Sequence, residues 1–455
     1  VVELDGLRVH QANAGLIRRD LRSIGQSRKA LQAFSCEELA GFCENAAALF
    51  LHEELPAGGG SQGPEDYVRA LSLQTGLPHS LCRRNMGKVY EAMANIRQVL
   101  SGLTRGLDLR IFDEGFVSQR EIELNFFPVT EALGVVLPSN SPGVNSLWLP
   151  APVMKMPVVL KPGREDPLTP YRIIQALIAA GFPKEAFGFY PTTHEGGDTI
   201  LFECGRGIAF GSDATVKKYA KFEGIQVHGS GRSKVLIGND LANDWEDSLD
   251  LIVESVAANG GRSCINASGV LIPRNGRALA EALAERLAAI APREREDPEA
   301  VVCGFAKPDF AKAVSEAIDE ALKQPGAEDL TAAHYPEGRL VEKFGQTFLR
   351  PTLIWCEDPD HPLANTEYMF PFASVTEVPQ GEMLERIGET LVVSAFTKRE
   401  AGWARDLMNS PLIERLNVGV FPTNRVQWEQ PHEGNLFEFL YHRRAIQGDL
   451  AVLGA

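Results

Sequence analysis

One cysteine of this chain stands in a string that suits a nucleophile. Cys264 belongs to residues 259–266, Asn-Gly-Gly-Arg-Ser-Cys-Ile-Asn, directly before an apolar run. Glycines let the backbone approach a ligand closely and adopt conformations closed to other residues. A thiol in such a loop can face a cleft, where a cation such as Arg262 would favour the thiolate. The string therefore allows a reactive cysteine, whereas a structural role in packing is the alternative and the commoner one for a lone cysteine.

The remaining cysteines and the histidines do not suggest a second chemical site. The seven cysteines are scattered without a CxxC pair, and the nine histidines are dispersed. Zinc sites need closely spaced ligands, and disulfide frameworks belong to short secreted chains with many cysteines. We therefore expect no metal site and a reducing, cytoplasmic environment. The GxSxG string of serine hydrolases is also missing from the sequence.

Length and charge narrow the classes of function further. The chain has 455 residues, which suggests two to three domains, and its formal net charge is -15. An acidic chain is a poor general nucleic-acid binder and docks weakly on anionic membranes. No run approaches the roughly 18 apolar residues of a spanning helix, and the start shows no signal-peptide pattern. We therefore expect neither a nucleic-acid partner nor a membrane partner.

The order of elements predicts two α/β domains. Residues 15–105 show helical spacing with a glycine-rich break at 58–61. Beyond Arg110, short and almost wholly apolar runs alternate with helical segments, which predicts parallel sheets built from βαβ units. The runs of the first series are 134–137, 158–160, 187–190, 208–210 and 235–237. The runs of the second series, after Cys264, are 269–273, 391–396 and 416–421.

The segment around Cys264 resembles the nucleophile region of the aldehyde dehydrogenase superfamily. That family carries Asn-x-Gly-Gln-x-Cys, and Arg262 stands here in place of the Gln. Other family strings follow in the family's order and cover about residues 130–425. They are Pro138-Ser139-Asn140-Ser141-Pro142, Val158-Val159-Leu160-Lys161-Pro162, Gly181-Phe182-Pro183, Phe210-Gly211-Ser212, Pro351-Thr352-Leu353 and Glu367-Tyr368-Met369-Phe370-Pro371.

The resemblance implies an aldehyde dehydrogenase-like α/β fold with three parts. These are a Rossmann-type cofactor domain at 1–226, an α/β catalytic domain at 227–425 and a C-terminal oligomerisation tail at 426–455. A β bridging arm would combine a hairpin near 110–130 with the tail. The stretch 121–126 alternates polar and apolar residues, as a half-exposed strand does. Because its apolar face and that of 437–441 need a partner surface, we expect a homodimer or a dimer of dimers.

The family reaction assigns catalytic roles to two of these residues. Cys264 would attack the carbonyl of an aldehyde, or an acyl thioester in the reverse direction. The side-chain amide of Asn140 and the backbone N–H of Cys264 would hold the oxyanion. The alternative for Asn140 is a turn residue between two prolines. Val144, Trp148 and Ile265 would line a pocket for a medium or aromatic acyl group.

The resemblance also implies a nicotinamide cofactor, NADP or NAD. Lys161 would bind the adenosine ribose, and the helix opening at Ser212 would face the pyrophosphate through its free N–H groups. Glu367 would bind the nicotinamide ribose, and Pro138 belongs to the same cofactor set. Many NAD-preferring members have Glu three residues after the Lys, whereas this chain has Arg164, which is compatible with NADP. Glu165 follows directly, so a one-residue shift would reverse this interpretation.

The largest departure from the family lies 36 residues before Cys264. Hydrolytic members have Glu there, in Glu-Leu-Gly-Gly-Lys, to activate water, whereas this chain has His228. His228 is interpreted in three ways: as a replacement general base, as a group that admits or deprotonates coenzyme A, or as a bystander.

Acylating members lack this Glu, and residues 75–78, Thr-Gly-Leu-Pro, faintly resemble the long-chain acyl-CoA reductases. The resemblance and the missing Glu therefore favour an NADP- or NAD-dependent, CoA-acylating aldehyde dehydrogenase acting on an aldehyde or acyl thioester. One alternative is a hydrolytic enzyme that uses His228. The other is a non-catalytic binding or scaffold member of the fold.

Overall fold

The computed structural model describes residues 2–4, 7–120 and 122–447. The chain forms two compact units. The first unit contains the residues up to 67, 85–229 and those from 427 onward, and the second contains 68–84 and 230–426. The joins at 229 and 426 lie near the predicted domain limits, whereas 68–84 belongs to the second unit. As functional domains, the predicted ranges stay a prediction.

The α-helices are short to medium in length and concentrate in the first unit. In chain order they are α1 Ala14–Leu21, α2 Ile24–Gln32, α3 Cys36–His52, α4 Pro64–Thr75, α5 His79–Ala94, α6 Ile96–Thr104, α7 Ile111–Glu114, α8 Pro150–Val153, α9 Leu168–Ala180, α10 His194–Glu203, α11 Asp213–Tyr219, α12 Leu249–Ala257, α13 Gly276–Ala288, α14 Pro308–Ala321, α15 Met383–Arg386, α16 Ala401–Met408 and α17 Leu436–Leu440. Short 3-10 helices cover Pro142–Leu147, Lys184–Ala186, Trp245–Ser248, Ala258–Gly261, Ala332–His334, Pro362–Asn365 and Gln380–Glu382.

The strands form two main sheets and several small ones. In chain order they are β1 Val2–Leu4, β2 Leu7–Val9, β3 Leu55–Ala57, β4 Gly60–Gln62, β5 Phe116–Gln119, β6 Ile122–Pro128, β7 Ala132–Val136, β8 Val158–Lys161, β9 Phe187–Phe189, β10 Gly205–Phe210, β11 Ile225–His228, β12 Ser233–Ile237, β13 Ala267–Ile272, β14 Ala327–Asp329, β15 Leu340–Lys343, β16 Gln346–Leu349, β17 Thr352–Cys356, β18 Phe372–Glu377, β19 Thr390–Phe396, β20 Ile413–Val418 and β21 Tyr441–Arg444.

The first unit is built on a parallel five-stranded sheet in the order β11-β10-β7-β8-β9. A core cluster between this sheet and helices α1 and α10 includes Ile17, Val159 and Ile200. The second unit is built on a seven-stranded sheet in the order β14-β17-β18-β13-β12-β19-β20. All its pairs are parallel except that of β14 with β17. The predicted α/β class is confirmed.

Most strands predicted from apolar runs are present with shifted ends, for example β7 and β19. Strands β14–β18 have no counterpart in that series, since several are short or carry polar residues. The apolar run 301–305 is a mostly buried loop, in which Phe305 forms an isolated bridge with Thr347. The glycine-rich break at 58–61 turns the small hairpin of β3 and β4.

A three-stranded antiparallel sheet, in the order β21-β6-β5, joins the hairpin near 110–130 to the C-terminal segment. The surface that the apolar residues of 437–441 were expected to need is provided within their own unit, and the expected homodimer or dimer of dimers stays a prediction. Phe437 and Tyr441 are buried within their own unit, where both rings pack against Phe112. Ile122 of β6 is exposed, and Glu121 lies outside the described residues.

Membrane-spanning helices and metal-ligand clusters are both absent from the described residues. None of their helices combines the length and apolar character that a bilayer crossing requires. No group of three or more His, Cys, Asp or Glu side chains in the described ranges could hold a metal ion.

Candidate active site

The predicted residues of the first unit follow the ends of adjacent strands. Pro138 and Asn140 follow β7, Lys161 ends β8, Ser212 follows β10 and His228 ends β11. Because these strands are parallel neighbours, their carboxyl ends meet at one edge of the sheet. Ligands of open α/β sheets bind outside that edge. The structure thus brings these five residues to the edge where a dinucleotide would bind.

The loops after β7 and β8 are held in direct contact. A Cβ added at Gly163 would lie 2.3 Å from the Pro138 carbonyl oxygen and 2.4 Å from Ser139 Oγ. Ser139 Oγ also accepts a 3.0 Å hydrogen bond from the backbone N–H of Glu165. Ser139 therefore ties the two loops together, and glycine is required at 163.

Lys161 leaves the sheet beside the first turn of α10. A Cβ at Gly197 would lie 3.0 Å from Lys161 Cδ, so glycine leaves room for the lysine side chain. Burial lowers the pKa of the Lys161 ammonium group, and Glu165 opposes that shift. Arg164 is exposed. Both cations are available to phosphate or ribose groups, and their assigned roles stay predictions.

Ser212 is the N-cap residue of α11, which has seven residues. A Cβ at Gly211 would lie 2.3 Å from Thr215 Oγ1, so this turn needs glycine. The role of this turn at a pyrophosphate stays a prediction.

His228 is buried and held on two sides. Its Nδ1 forms a hydrogen bond with Glu433 Oε2, and its ring stacks on Phe210 with centroids 4.7 Å apart and planes 19° apart. Gln226 Nε2 donates a 3.0 Å hydrogen bond to the Glu433 carbonyl oxygen. The C-terminal segment thus supplies a carboxylate partner for the histidine.

In the second unit, a left-handed turn shapes the nucleophile loop. Asn259, Gly260 and Gly261 have φ angles of 53°, 65° and 67°. A Cβ at Gly260 would lie 2.3 Å from Cys303 Sγ, and one at Gly261 would lie 2.3 Å from the Phe370 carbonyl carbon. Both glycines are therefore required for conformation and for packing.

Cys264 differs from the other cysteines in exposure. It is half-buried, whereas the other six are buried. Burial raises the pKa of the Cys36, Cys204 and Cys356 thiols to about 12. Those thiols are inert near neutral pH, and Cys264 is the reactive candidate.

The carbonyl group of Cys264 is fixed by the start of β12. Ser233 Oγ donates a 2.8 Å hydrogen bond to the Cys264 carbonyl oxygen. A Cβ at Gly231 would lie 2.0 Å from the same oxygen, so glycine permits the close approach. Glu367 and Cys264 precede β18 and β13, and Ser233 begins β12, so all three lie at the N-terminal edge of parallel strands.

Arg262 anchors the nucleophile loop. Its buried guanidinium group donates to the carbonyl oxygens of Thr75, over 2.6 Å, and of Gly304, and it lies over the Phe305 ring. Gly76 packs on Gly304, whose N–H donates to the Gly76 carbonyl oxygen over 2.9 Å. These contacts give the Thr75-Gly76 string a packing role, and a role of Arg262 beside the thiolate stays a hypothesis.

A second arginine interacts with the nucleophile. Arg415 of β20 is paired in register with Val392 of β19, whose N–H donates to Ser233 Oγ over 3.2 Å. Burial lowers the pKa of the Arg415 guanidinium group, and the charge of Cys264 opposes that shift. An opposite charge at this position favours the thiolate.

Glu367 is half-buried, and its carboxylate is only partly bonded. One oxygen accepts a 2.6 Å hydrogen bond from the Arg232 backbone N–H, whereas Oε1 is buried and has no hydrogen-bond partner in the described structure. Burial raises the pKa of Glu367 to about 7, and backbone N–H groups oppose that shift. Burial also lowers the pKa of Lys234, which donates to Asn365 Oδ1, to about 7.

The remaining predicted pocket residues are less informative. Trp148 is buried, and its indole N–H donates a 3.1 Å hydrogen bond to Asn145 Oδ1, which gives it a packing role. Asn140 is half-buried and belongs to the first unit, whereas Cys264 belongs to the second. Their shared role at an oxyanion stays a prediction.

The aldehyde dehydrogenase family model matches residues 62–391, more than half of the chain. The chain belongs to the aldehyde dehydrogenase family. The resemblance inferred from the strings around Cys264 is confirmed, and the match includes Asn140 and Glu367. Glu433 and Arg415 lie beyond its end.

Two curated members of the aldehyde dehydrogenase family are similar to the chain. Aminoacetaldehyde dehydrogenase of Pseudomonas aeruginosa is 26% identical over 296 residues, 58% of this chain and 55% of that protein. The match thus spans about half the length of that relative. N-succinylglutamate 5-semialdehyde dehydrogenase 2 of Caulobacter vibrioides is 25% identical over 406 residues, 81% of this chain and 73% of that protein.

A solved structure shares the aldehyde dehydrogenase fold. A mutant form of the indole-3-acetaldehyde dehydrogenase AldA of P. syringae, in complex with NAD+ and IAA, superposes with a TM-score of 0.79. The superposition covers 96% of this chain and 90% of that one at 17% identity. At that identity the likeness shows the fold alone.

Several residues of the site were not predicted from the sequence. Ser233, Lys234, Arg415 and Glu433 are ordinary polar residues in the sequence, and contacts between distant segments bring them to their partners. The Lys that ends the family's Glu-Leu-Gly-Gly-Lys string falls near 232–234, which was the one local signal for Lys234.

Proposed function

We propose that this protein oxidises an aldehyde to a carboxylic acid with NADP or NAD as hydride acceptor. The observation that supports this most is the state of Cys264. Cys264 is half-exposed, whereas the other six cysteines are buried. It follows a left-handed glycine turn, and Ser233 holds its carbonyl group by a hydrogen bond. Such a thiol can form a thiohemiacetal with an aldehyde carbon.

The oxyanion that forms on attack needs donors placed in advance. The Asn140 amide and the Cys264 backbone N–H are proposed as those donors, following the family's pattern. A neutral amide suits this role because it donates a hydrogen bond without supplying a proton. Arg415 would keep the sulfur in its thiolate form before attack.

The residues present fit a nicotinamide dinucleotide. Glu367 offers a buried carboxylate oxygen that a ribose hydroxyl would satisfy, and Lys161 and Arg164 offer cations for the adenosine side. When bound, the cofactor accepts the hydride that leaves the former aldehyde carbon. The exposed Arg164 supports the use of NADP.

Release of the acyl group from Cys264 needs a second nucleophile, and we propose water. His228, with its carboxylate partner Glu433, has the form of a general base. Both curated relatives are named for free aldehydes. Release by coenzyme A, the hypothesis that the sequence favours, remains the competing proposal because the family's usual Glu is replaced by His228.

One assay separates these proposals. The full-length protein is incubated with hexanal or benzaldehyde and NADP or NAD, with and without coenzyme A, and the products are quantified. The proposal expects reduced cofactor and carboxylic acid without coenzyme A, and neither product with Cys264→Ala. Reduction that requires coenzyme A and yields acyl-CoA would overturn release by water. Absence of reduction under every condition would support a non-catalytic protein.

A further inference from the structure

His228 and Glu433 are 205 residues apart in sequence and hydrogen-bonded in the structure. We propose that Glu433 is a positioning residue that orients His228 as the base for the water that releases the acyl group. This inference rests on the proposed function and concerns its last step, the release of the acyl group from Cys264 by water.

The contacts of His228 define one ring orientation and one tautomer. The side chain is 7% exposed, and Phe210 fixes the plane of its ring. A carboxylate at Nδ1 accepts a hydrogen bond only from a protonated Nδ1, which places the lone pair of the neutral ring on Nε2. Nε2 is therefore the atom that can accept a proton from water.

The carboxylate itself is anchored by the strand that carries the histidine. Gln226, two residues before His228 on β11, donates to the Glu433 carbonyl oxygen over 3.0 Å. A Cβ at Gly434 would lie 2.3 Å from Gln226 Nε2, so the following glycine permits this approach. Backbone and side chain of Glu433 are thus both tied to β11, which holds the carboxylate in place before reaction.

In the proposed step, water hydrolyses the thioester that the acyl group forms with Cys264. The oxygen of water bonds to the acyl carbon of the Cys264 thioester, and a water proton passes to His228 Nε2. Collapse of the tetrahedral intermediate breaks the C–S bond and returns the electron pair to sulfur as the thiolate. The carboxylic acid leaves, and His228 then gives its proton to solvent. Glu433 stabilises the transient imidazolium by its negative charge.

Three charged groups on neighbouring elements have partners other than His228. Arg206 of β10 donates to the Phe439 carbonyl oxygen, and Lys218 of α11 pairs with Asp198. The other charged residues of α11 are Asp213 and Lys217. Glu433 is the carboxylate in contact with the histidine ring.

The test uses p-nitrophenyl acetate, which acylates a reactive thiolate without any aldehyde or cofactor. Release of p-nitrophenolate in an initial burst counts acetylated Cys264, and the later steady rate measures hydrolysis of the acetyl-enzyme. Glu433→Gln is expected to keep the burst amplitude and to slow the steady rate about tenfold or more. Glu433→Asp is expected to retain more of that rate than Glu433→Gln.

Glu438→Gln is the matched control, because Glu438 lies five residues further on and pairs with Arg105 at the surface. It is expected to behave like the unaltered protein. An unchanged steady rate in Glu433→Gln, or a loss of burst amplitude together with the rate, would overturn the role of Glu433. A missing burst in the unaltered protein would instead contradict the proposed nucleophile, and the inference would fail with it.

Discussion

Ser233 Oγ bridges the nucleophile to the sheet. It donates a hydrogen bond to the Cys264 carbonyl oxygen over 2.8 Å and accepts one from the Val392 N–H over 3.2 Å. The backbone of Cys264 is therefore linked by hydrogen bonds to β12 and β19, two interior strands of the second unit's sheet. A rigid element behind a reactive thiol holds its attack geometry to within a fraction of an ångström.

Ser233→Ala is expected to weaken both the positioning of Cys264 and the stability of the fold. Loss of two buried hydrogen bonds should lower the free energy of unfolding by about 1–3 kcal/mol, measured by urea titration. The rate constant for alkylation of Cys264 should change in parallel. Ser374→Ala, another buried serine whose hydroxyl bonds to Ala364, serves as the control, with stability lowered and alkylation unchanged. Equal alkylation rates in both variants would contradict the bridging role.

Removal of the Arg415 charge is expected to slow the reaction of Cys264 with iodoacetamide. Because the guanidinium group favours the thiolate, Arg415→Met should move the pH midpoint of alkylation upward by about one unit. The readout is the pH profile of the alkylation rate, followed by mass spectrometry. Arg405→Met, on the exposed side of α16, is the control. A profile that coincides with that of the unaltered protein would exclude Arg415 from thiolate stabilisation.

Cofactor binding is expected to weaken as the pH falls below neutrality. Burial raises the pKa of Glu367 to about 7, and the ionised carboxylate accepts the ribose hydroxyls. The carboxylate is formed above that pKa and lost below it, so Kd should rise about tenfold from pH 8 to pH 6. Arg232 and Lys234 are the cations that act on this carboxyl, and Lys234 titrates in the same range.

A fluorescence titration of NADPH checks this pH dependence. Glu367→Gln should bind weakly at both pH values and lose most of the dependence. If this variant keeps the full tenfold change, another group governs cofactor binding.

Arg164 is expected to select the cofactor. Arg164→Glu should lower kcat/KM for NADP about tenfold or more, because a cation beside the 2′-phosphate is replaced by an anion. The value for NAD should change less. Glu165→Ala is the paired variant, since it reports on a one-residue shift of the loop. A strong preference for NAD that is unchanged in Arg164→Glu would contradict the assignment.

The sequence predicted those features that depend on nearby residues. Cys264, Lys161 and Glu367 stand in short family strings, and the α/β alternation predicted the parallel sheets. The unusual backbone angles of Gly260 and Gly261 were also expected from the glycine pair, whereas their packing against Cys303 and Phe370 was not.

Features that depend on long-range pairing were not predictable in this way. Glu433 meets His228 across 205 residues, and the register of β19 with β20 places Arg415 opposite Val392. The surface that covers the tail was not predicted for the same reason, since Phe112 covers Phe437 within one unit. Apolar residues in a sequence indicate that some surface must cover them, but the fold determines which residues form that surface.

Trapping of the acyl-enzyme is the most direct test of whether Cys264 is the nucleophile that carries the acyl group. The protein is mixed with benzaldehyde and NADP, quenched in acid within the first turnover, and digested for peptide mass analysis. We expect a benzoyl group on the Cys264 peptide, formed only when the cofactor is present and lost on further incubation in water. An adduct on another cysteine, or no adduct while reduced cofactor accumulates, would contradict this expectation.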